Sequence, residues 1–497
     1  MRRPNTAGTW IALILLALSL GFIAFGAIGL SQAIENDAAT VQATLPFNKL
    51  NVDLGPLSNI RSALAGILNK TPAEHPEGVQ AVSNKNVMKE TNYSVLVYIN
   101  NSNLLVENDD GNVISKRAAG SDDAAAIREA ININAQGTVL CIGTFHILSP
   151  IDNLKSDIIL KGLPGLTIFD CSKMKTTVFP CGCEGSGYAE YTAPLIDDVL
   201  EGSRAVKVKD ATIYREGDFV KLIDNESIMD FKKGEILRIE KINGNEIIFS
   251  EAIRDDYIVE NSANIRKLTM TEDVTVEGIK FIGPGEETES ILFGLNLLDH
   301  FRFKNNKVVN FGRAAIYLSD SLDSVIENNT FENIFMTGFG YSISVTNACN
   351  DIYIKDNAFR VKGRHYITAG AGTGSRNSGG FSRNIKIINN SFEDCIQEAI
   401  NSHSPFIGPI KIVGNTFKSC GKGIEIANGN TLIVNNSFTK CEIGIQLLGD
   451  EERTHDIHSN EFKECEEKIL IETSDMTVYG DIYESKFRIN RNEIEFL

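Results

Sequence analysis

A short pattern of apolar and polar positions recurs along the second half of the chain. Its clearest copies are IINNSFEDC (387–395), IVGNTFKSC (412–420), IVNNSFTKC (433–441) and IHSNEFKEC (457–465). In every copy an Asn precedes a Phe by two residues, and a Cys follows the Phe by three. Short alternating segments that are bounded by turn residues are typical of β-strands. The pattern therefore predicts a series of short strands that repeats along the chain.

The same pattern extends over a larger part of the chain with variable spacing. Aligned apolar positions are 21 residues apart from Phe417 to Phe438, and 33 residues apart from Phe359 to Phe392. A short minimum spacing with insertions above it is typical of a solenoid whose turns carry loops. The Asn of the pattern tolerates a left-handed turn, and stacked Asn amides can hydrogen-bond to one another. A second run in several coils, such as EAINS (398–402), predicts another strand in each turn.

The N-terminal pattern differs because it is almost uniformly apolar. After two arginines, no charge occurs between residues 7 and 34, and such a stretch is long enough to cross a bilayer as a helix. We predict a cytoplasmic N-terminus (1–9), a transmembrane anchor (10–31) and a stalk or linker (32–92), with the bulk of the chain at the cell surface. The alternative is a cleaved signal peptide that ends near residue 33 and makes the protein secreted.

Two further patterns separate the linker from the repeats. Residues 93–202 begin with an apolar run that is typical of a strand, and Asp122 or Asp123 can then cap a helix. Residues 203–268 contain short apolar runs between Gly, Asn and Asp turns, which predict a small inserted antiparallel β-subdomain. The repeats themselves occupy residues 269–497.

Residues 120–147 contain D-D-x-x-A-I-x-x-A-I, then G-T-V, then G-T-F. This order resembles the start of a right-handed parallel β-helix of the pectate-lyase-like superfamily, whose repeats are of the PbH1 type and whose helix caps the open end. The resemblance implies an all-β, single-stranded, right-handed parallel β-helix over roughly residues 93–497. An inserted β-subdomain is similar to those of tail-spike-like members of this superfamily. The resemblance is specific for the fold and says little about the activity.

Composition and charge narrow the range of functions. The net charge of −17 argues against a nucleic-acid partner, because such a partner requires a broad basic surface. The cysteines of the repeat are expected to stack on successive rungs as small apolar residues in the core, although disulfides between adjacent rungs remain open. Metal ligation fits less well, because a linear ladder does not converge on one point. These cysteines are Cys395, Cys420, Cys441 and Cys465.

One coil departs from the regular pattern. It contains the Gly-rich run AGAGTGSRNSGG (369–380). The segment 357–392, which includes this run, has several cations but no Asp or Glu. In an acidic chain this predicts a local positive patch that binds carboxylate or sulfate groups, although a plain loop insertion with chance clustering explains it equally. The cations are Arg360, Lys362, Arg364, Arg376, Arg383 and Lys386.

The same coil contains GRHYIT (363–368), and His403 follows the corresponding strand of the next coil. Two histidines in these places suit uronate chemistry by β-elimination or C5 epimerisation, although two exposed surface histidines would give the same pattern. Arg364 would neutralise the sugar carboxylate, and His365 or His403 would accept the C5 proton. Tyr366 or the other His would act as the acid. The predicted substrate-binding residues are Arg360, Lys362, Arg376, Arg383, Asn401, Glu398 and Glu425.

Other functions remain open at this point. Glu398 and Glu425 on consecutive coils could form the carboxylate pair of a glycoside hydrolase, and a non-catalytic adhesin or carbohydrate-binding spike needs neither. The paired-Asp and G-H-G patterns of polygalacturonases are missing, as are the W-x-D-H and R-x-P-x-x-R patterns of pectate lyases. No cofactor or metal is predicted, since no compact Asp cluster supports a Ca²⁺ in place of the Arg. The predicted partner is a polysaccharide or other glycan, and the resemblance to spikes allows a homotrimer.

Overall fold

The computed structural model describes residues 92–497 apart from short gaps. The gaps are residues 135, 181–186, 229–230, 371–378, 403–407, 428, 450–453, 474–476, 481–485, 488–494 and 497. The predicted cytoplasmic end and membrane anchor, and all but the last residue of the stalk, lie outside the described residues. Within the described part, no helix is both long and apolar enough to span a bilayer.

The described chain coils into a right-handed parallel β-helix of about 13 turns, which confirms the fold that the repeat and the resemblance predict. A complete turn has three strands, and each stacks on the equivalent strands of the neighbouring turns, so that three faces form. Faces 1 and 2 belong to one sheet, and face 3 is a separate nine-stranded sheet. Side chains that point inward from the three faces fill the interior.

The strands of the three faces follow one another along the chain. Face 1 consists of Thr275–Glu277, Arg302–Lys304, Val325–Glu327, Asn350–Lys355, Arg383–Ile388, Ile410–Val413, Thr431–Val434, Thr454–His458, Thr477–Gly480 and Glu495–Phe496. Face 2 consists of Lys280–Ile282, Lys307–Val309, Thr330–Ile334, Ala358–Gly363, Ser391–Glu393, Thr416–Lys418, Ser437–Thr439 and Glu461–Lys463. Face 3 consists of Ile291–Asn296, Ala314–Ser319, Tyr341–Thr346, His365–Gly370, Glu398–Ser402, Lys422–Ile426, Ile443–Gly449, Glu467–Thr473 and Lys486–Phe487.

The N-terminal end of the solenoid carries the predicted helix, Ala124–Ile133. Its buried face belongs to the main core. The carboxylate of Asp123 accepts hydrogen bonds from the backbone N–H groups of Gly120 (2.9 Å) and His146 (2.8 Å), so it ties the start of the helix to the first turn. The strands around the helix are Val95–Asn100, Asn103–Asn108, Val113–Ala118, Gly137–His146 and Ile158–Asp170.

The inserted subdomain is a six-stranded sheet with its own core. Its antiparallel pairing confirms the predicted type of sheet, but it begins before residue 203, because Gly187–Pro194 pairs with Asn264–Thr269. A short 3₁₀ helix, Val259–Asn261, precedes its last strand. The other strands of this sheet are Ala205–Lys207, Phe219–Ile228, Phe231–Asn243 and Glu246–Phe249. The chain then returns to the solenoid, where Thr271–Glu272 pairs with Leu298–Asp299.

Side-chain ladders run along the solenoid as the repeat predicts. The rings of the repeated Phe residues stack with centroids 4.6 to 5.0 Å apart and nearly parallel planes. The buried Asn residues form an amide ladder, in which each backbone N–H donates to the side-chain oxygen of the next Asn at 2.8 to 3.0 Å. The stacked cysteines Cys395, Cys420 and Cys441 are buried free thiols, and Cys465 is half-buried. Their burial agrees with a role as small apolar residues in the core.

The left-handed turn does not lie on the ladder Asn but on the residue before it. Asn435 has a φ of 56° and is exposed, whereas Asn436 is buried in the ladder. The prediction that one Asn serves both purposes was therefore wrong. The turn needs a residue that tolerates a positive φ and faces solvent, whereas the ladder needs an amide that faces the interior.

Replacing Asn436 with Ala is expected to lower the free energy of unfolding by about 2–3 kcal/mol, because buried backbone groups lose their partners. The Asn436 amide donates to the Ile412 carbonyl (2.9 Å) and to Asn460 Oδ1 (3.0 Å), and its oxygen accepts from Asn415. Equilibrium denaturant unfolding measures the loss. Asn435→Gly is the matched control next to it, and we expect no loss there, since Gly adopts a positive φ without strain. Equal stability of the two variants would contradict the ladder's role.

Candidate functional site

Face 3 presents two rows of polar side chains on its outer side. The first row runs through Tyr341, His365, Glu398 and Lys422 on four successive strands. A second row, closer to the middle of each strand, runs through Ser344, Thr368, Asn401, Glu425 and Gln446. Between the rows the chain does not alternate regularly, because residues such as Tyr366 and Ile367 both point into the core. The two rows therefore point away from the core on the same side of the sheet, although most of their side chains are buried.

Charged groups of the two rows form a continuous chain of contacts, which we call the polar chain. His365 Nδ1 lies 2.9 Å from Glu398 Oε2, and Lys422 Nζ lies 3.0 Å from Glu398 Oε1. Lys422 also pairs with Glu425, and the Asn401 amide donates to Glu425 Oε1 at 2.8 Å. Three successive turns of the solenoid thus contribute to one network on a rigid sheet.

The network determines the charges of its members. Burial alone would raise the pKa of Glu398, but the hydrogen bonds and charges of His365 and Lys422 outweigh it and lower that pKa to about 2. Burial tends to lower the pKa of Lys422, and the two carboxylates Glu425 and Glu398 raise it above its usual value. At neutral pH Glu398 is therefore a carboxylate and Lys422 an ammonium ion.

Aromatic rings and arginines border the polar chain. The imidazole of His365 stacks on the ring of Tyr341 with centroids 5.9 Å apart, and Arg364 donates to the Tyr341 hydroxyl at 3.3 Å. Next to them, the guanidinium of Arg313 lies 4.4 Å from the centre of the Phe339 ring. Arg364 and His365 therefore converge on one aromatic ring, and a half-exposed cation stands beside the polar chain.

Tyr366 does not fit the role of catalytic acid that the sequence suggests. Its ring is fully buried between Phe359 and Phe392, and its hydroxyl donates to the backbone carbonyl of Glu393 at 2.5 Å. Burial raises the pKa of Tyr366 far above its usual range. The residue belongs to the core because the start of its strand turns two consecutive side chains inward.

The predicted positive patch does not form among the described residues. Four of the six predicted cations pair with a group from another part of the fold, and their side chains lie on different elements. Arg360 binds Glu332 of the preceding turn, Lys362 binds Glu286, Arg383 binds Asp255 of the inserted subdomain, and Lys386 donates to the Tyr353 hydroxyl. A count of charges along the sequence misses acids that stack one turn away.

His403 and Arg376 lie outside the described residues, so the pairing of His365 with His403 stays a prediction. Of the remaining predicted site residues, the structure brings Arg364, His365, Glu398, Asn401 and Glu425 together on face 3. Sequence reasoning missed two contributors to this site, Tyr341 and Lys422. Their signal was the strand register, since both occupy the first position of a face 3 strand.

A cleft of about 560 Å³ opens where the inserted subdomain meets face 1. Arg254 and Glu251 line it from the subdomain, and Asp351, Arg383 and Asn384 line it from the solenoid. Arg383 is held there by its ion pair with Asp255. This residue therefore contributes to the wall between the two parts and not to the polar chain.

Comparison with known proteins shows that this chain shares its fold with other proteins. A family model described as a right-handed beta helix region matches residues 293–452, a range that includes the polar chain. The chain is 25% identical over 197 residues to a capsule K1-specific depolymerase of Klebsiella phage K64-1, and the match covers 34% of this chain. It spans only 22% of that relative's length.

Two solved structures with a similar fold are phage tailspikes. The tailspike gp61 of Pseudomonas phage phi297 has a TM-score of 0.51 and 13% identity, covering 85% of this chain and 75% of that one. The tailspike gp49 of Pseudomonas phage LKA1 has a TM-score of 0.50 and 15% identity, covering 75% of this chain and 74% of that one. At these identities the likeness shows the fold alone.

Proposed function

We propose that this right-handed parallel β-helix protein binds an acidic polysaccharide along the outer side of face 3 and cleaves it there by β-elimination. The observation that carries the proposal is the polar chain, in which His365, Glu398 and Lys422 lie on consecutive rungs beside Arg364. Repeated rungs present hydrogen-bonding groups at intervals of about 4.8 Å, which suits a ligand that is itself a repeating chain. The relative that is a capsule depolymerase supports polysaccharide as the ligand class.

The proposed reaction uses each group of the polar chain for one purpose. The Glu398 carboxylate accepts the Nδ1 proton of His365, so that in the neutral ring Nε2 carries the lone pair that takes the C5 proton of the uronate. Nε2 is buried, so the groups that cover it have to move aside for the sugar ring. Arg364 or Lys422 neutralises the sugar carboxylate and makes that proton more acidic. The C–H electron pair forms the C4–C5 double bond, and the bond from C4 to the glycosidic oxygen breaks. The leaving oxygen takes a proton from solvent, Glu398 stabilises the imidazolium that forms, and the imidazolium then returns its proton to solvent.

Hydrolysis by Glu398 and Glu425 receives less support from the same geometry. A glycoside hydrolase needs one carboxyl group that is protonated near neutral pH. The lowered pKa of Glu398, about 2, makes it a poor proton donor. Glu398 could serve only as the nucleophile or base of such a pair, and its two oxygens already contact His365 and Lys422.

A non-catalytic carbohydrate-binding spike is the second candidate. The observation in its favour is burial, since His365 is only 2% exposed and Glu398 only 9%. An ion pair as enclosed as this one can be purely structural, and binding would then rest on the more exposed Arg364, Tyr341 and Lys422. Under either candidate we place the ligand outside the cell, in line with the predicted anchor or signal peptide, and we retain the homotrimer as part of the proposal.

Incubating the full chain with a panel of acidic and neutral polysaccharides tests the proposed function. We expect ultraviolet absorbance from unsaturated uronate ends with at least one acidic member of the panel and none with neutral ones. Inverted configuration at C5 without chain cleavage would indicate epimerisation. New reducing ends without the absorbance would indicate hydrolysis. Saturable binding without any product would leave the spike as the function, and neither binding nor product with any member would overturn the proposal.

A further inference from the structure

A group of metal-ligating side chains lies apart from the polar chain, at the corner between face 3 and face 1. It consists of Asp299, His300 and Asp323, and one possible ligand atom from each lies within 4.8 Å of those of the other two. Asp299 and Asp323 come from neighbouring turns, because Asp299 pairs with Leu322, the residue before Asp323. The two carboxylates and the imidazole therefore converge across one rung.

The backbone at this corner presents the side chains of successive turns in one line. His300 has a φ of 58° and Asp323 a φ of 44°, and both belong to a column of left-handed residues that also contains Asp273 and Asp351. The backbone N–H of His300 donates to the Leu322 carbonyl at 3.2 Å, and that of Asp323 donates to the Asn350 carbonyl at 3.1 Å. A column of residues that share one conformation is held in place by the solenoid itself and is preorganised for a ligand.

Asp299 provides a second, independent observation. It is 3% exposed, and although its Oδ2 lies 3.1 Å from His300 Nδ1, its Oδ1 is buried without a hydrogen-bond partner among the described residues. An ionised oxygen that is removed from water and left without a donor is costly. A cation that is bound by this carboxylate would supply the missing interaction.

The charges around the cluster favour a cation as well. Besides Asp299 and Asp323, the carboxylates of Glu272 and Asp351 lie close enough to interact with the cluster. Several carboxylates thus compete for the same small region. A bound divalent ion would compensate this concentration of negative charge.

We propose that Asp299, His300 and Asp323 form a binding site for a divalent cation of the Mn²⁺ class, which joins two neighbouring turns of the solenoid. Two carboxylates and one imidazole are a mixed oxygen and nitrogen set, which suits Mn²⁺ better than the all-oxygen shell of Ca²⁺ or the thiolate-rich sites of structural zinc. The site goes beyond the proposed polysaccharide function and does not depend on it. The sequence predicted no metal because it shows no compact Asp cluster. The acids of this site, Asp299 and Asp323, lie one coil apart along the sequence and come together only in the folded solenoid.

Titrating the metal-free full chain with Mn²⁺ alone, and following the electron paramagnetic resonance of the free ion, tests the site. We expect saturable binding to the wild type, and a loss of affinity of about tenfold or more for Asp299→Asn and for Asp323→Asn. Mn²⁺ is the probe because it prefers oxygen and nitrogen ligands and therefore does not bind to the stacked thiols of the core. Saturating Mn²⁺ is also expected to raise the unfolding temperature of the wild type more than that of either variant.

His146→Gln is the matched control. His146 Nδ1 lies 3.3 Å from Asp170 Oδ2, so the two form a His–Asp pair, and neither belongs to the cluster of Asp299, His300 and Asp323. This variant should bind Mn²⁺ as the wild type does. Asp323 is exposed, so its variant is expected to fold, and circular dichroism checks this for both variants. No saturable binding by the wild type, or equal binding by the wild type and Asp323→Asn, would overturn the proposal.

Discussion

Replacing Lys221 with Met is expected to destabilise the protein by about 3–5 kcal/mol, because it leaves a buried carboxylate without its counter-ion. Lys221 Nζ lies 2.7 Å from Asp320 Oδ1, and the two side chains are 2% and 1% exposed. Lys221 belongs to the inserted sheet, whereas Asp320 follows a strand of face 3. The pair therefore joins two parts of the fold that the chain order separates by about a hundred residues.

The neighbours of Asp320 show why the loss should be large. The Tyr188 hydroxyl and the Ala348 backbone N–H, the latter at 3.1 Å, also donate to this carboxylate. Two neutral donors do not replace a cation, and water has little access to the site. Removing Lys221 thus costs the desolvation of the remaining charge as well as the ion pair itself.

A double variant separates the charge effect from a packing effect. Asp320 has a φ of 47°, so Asn is the suitable replacement, since it tolerates the left-handed region. We expect Lys221→Met with Asp320→Asn to recover at least half of the stability that Lys221→Met loses, as measured by equilibrium unfolding in guanidinium. Lys207→Met is the control, because the Lys207–Asp197 pair of the same subdomain is exposed and worth less than about 1 kcal/mol. If Lys221→Met were as mild as this control, the pair would have no anchoring role.

The solenoid could be predicted from the sequence because its signals are local. Each turn repeats a Phe, an Asn and often a Cys at fixed offsets, and each of these residues contacts its equivalent on the next rung. Interactions between equivalent positions need no knowledge of long-range pairing. The inserted sheet was predicted less completely, because its strand Gly187–Pro194 acquires a partner only some 75 residues later, in Asn264–Thr269.

The candidate site was predicted in part, for a related reason. The sequence indicated His365 and the pair Glu398 and Glu425, since they break the regular pattern. Lys422, which joins the two carboxylates, looked like an ordinary surface lysine until the register placed it beside Glu398. The charge of the GRHYIT coil was misjudged, because acids such as Glu332, one turn away, neutralise its cations.

Replacing His365 with Asn is expected to lower the rate of polysaccharide cleavage by about two to four orders of magnitude while binding stays within about threefold of the wild type. The Asn amide can still donate to Glu398, so the fold should persist, but it cannot accept the C5 proton. The measurements are the initial rate of unsaturated uronate formation and the affinity for the same polysaccharide. His458→Asn is the control, because His458 is half-exposed on face 1, away from the polar chain.

Glu398→Gln distinguishes a catalytic His365 from a merely structural one. Gln keeps the shape of Glu398 but removes the charge that stabilises the imidazolium, so the rate should fall while the affinity changes little. Because the pKa of Glu398 is lowered to about 2, the carboxylate contributes its stability above about pH 4 and loses it only as the pH falls towards 2. The stability difference between wild type and Glu398→Gln should therefore shrink in strong acid, as the pH falls towards 2. A rate that is unchanged in His365→Asn would show that the buried pair only holds face 3 together, and the exposed groups of the polar chain would then be left with binding alone.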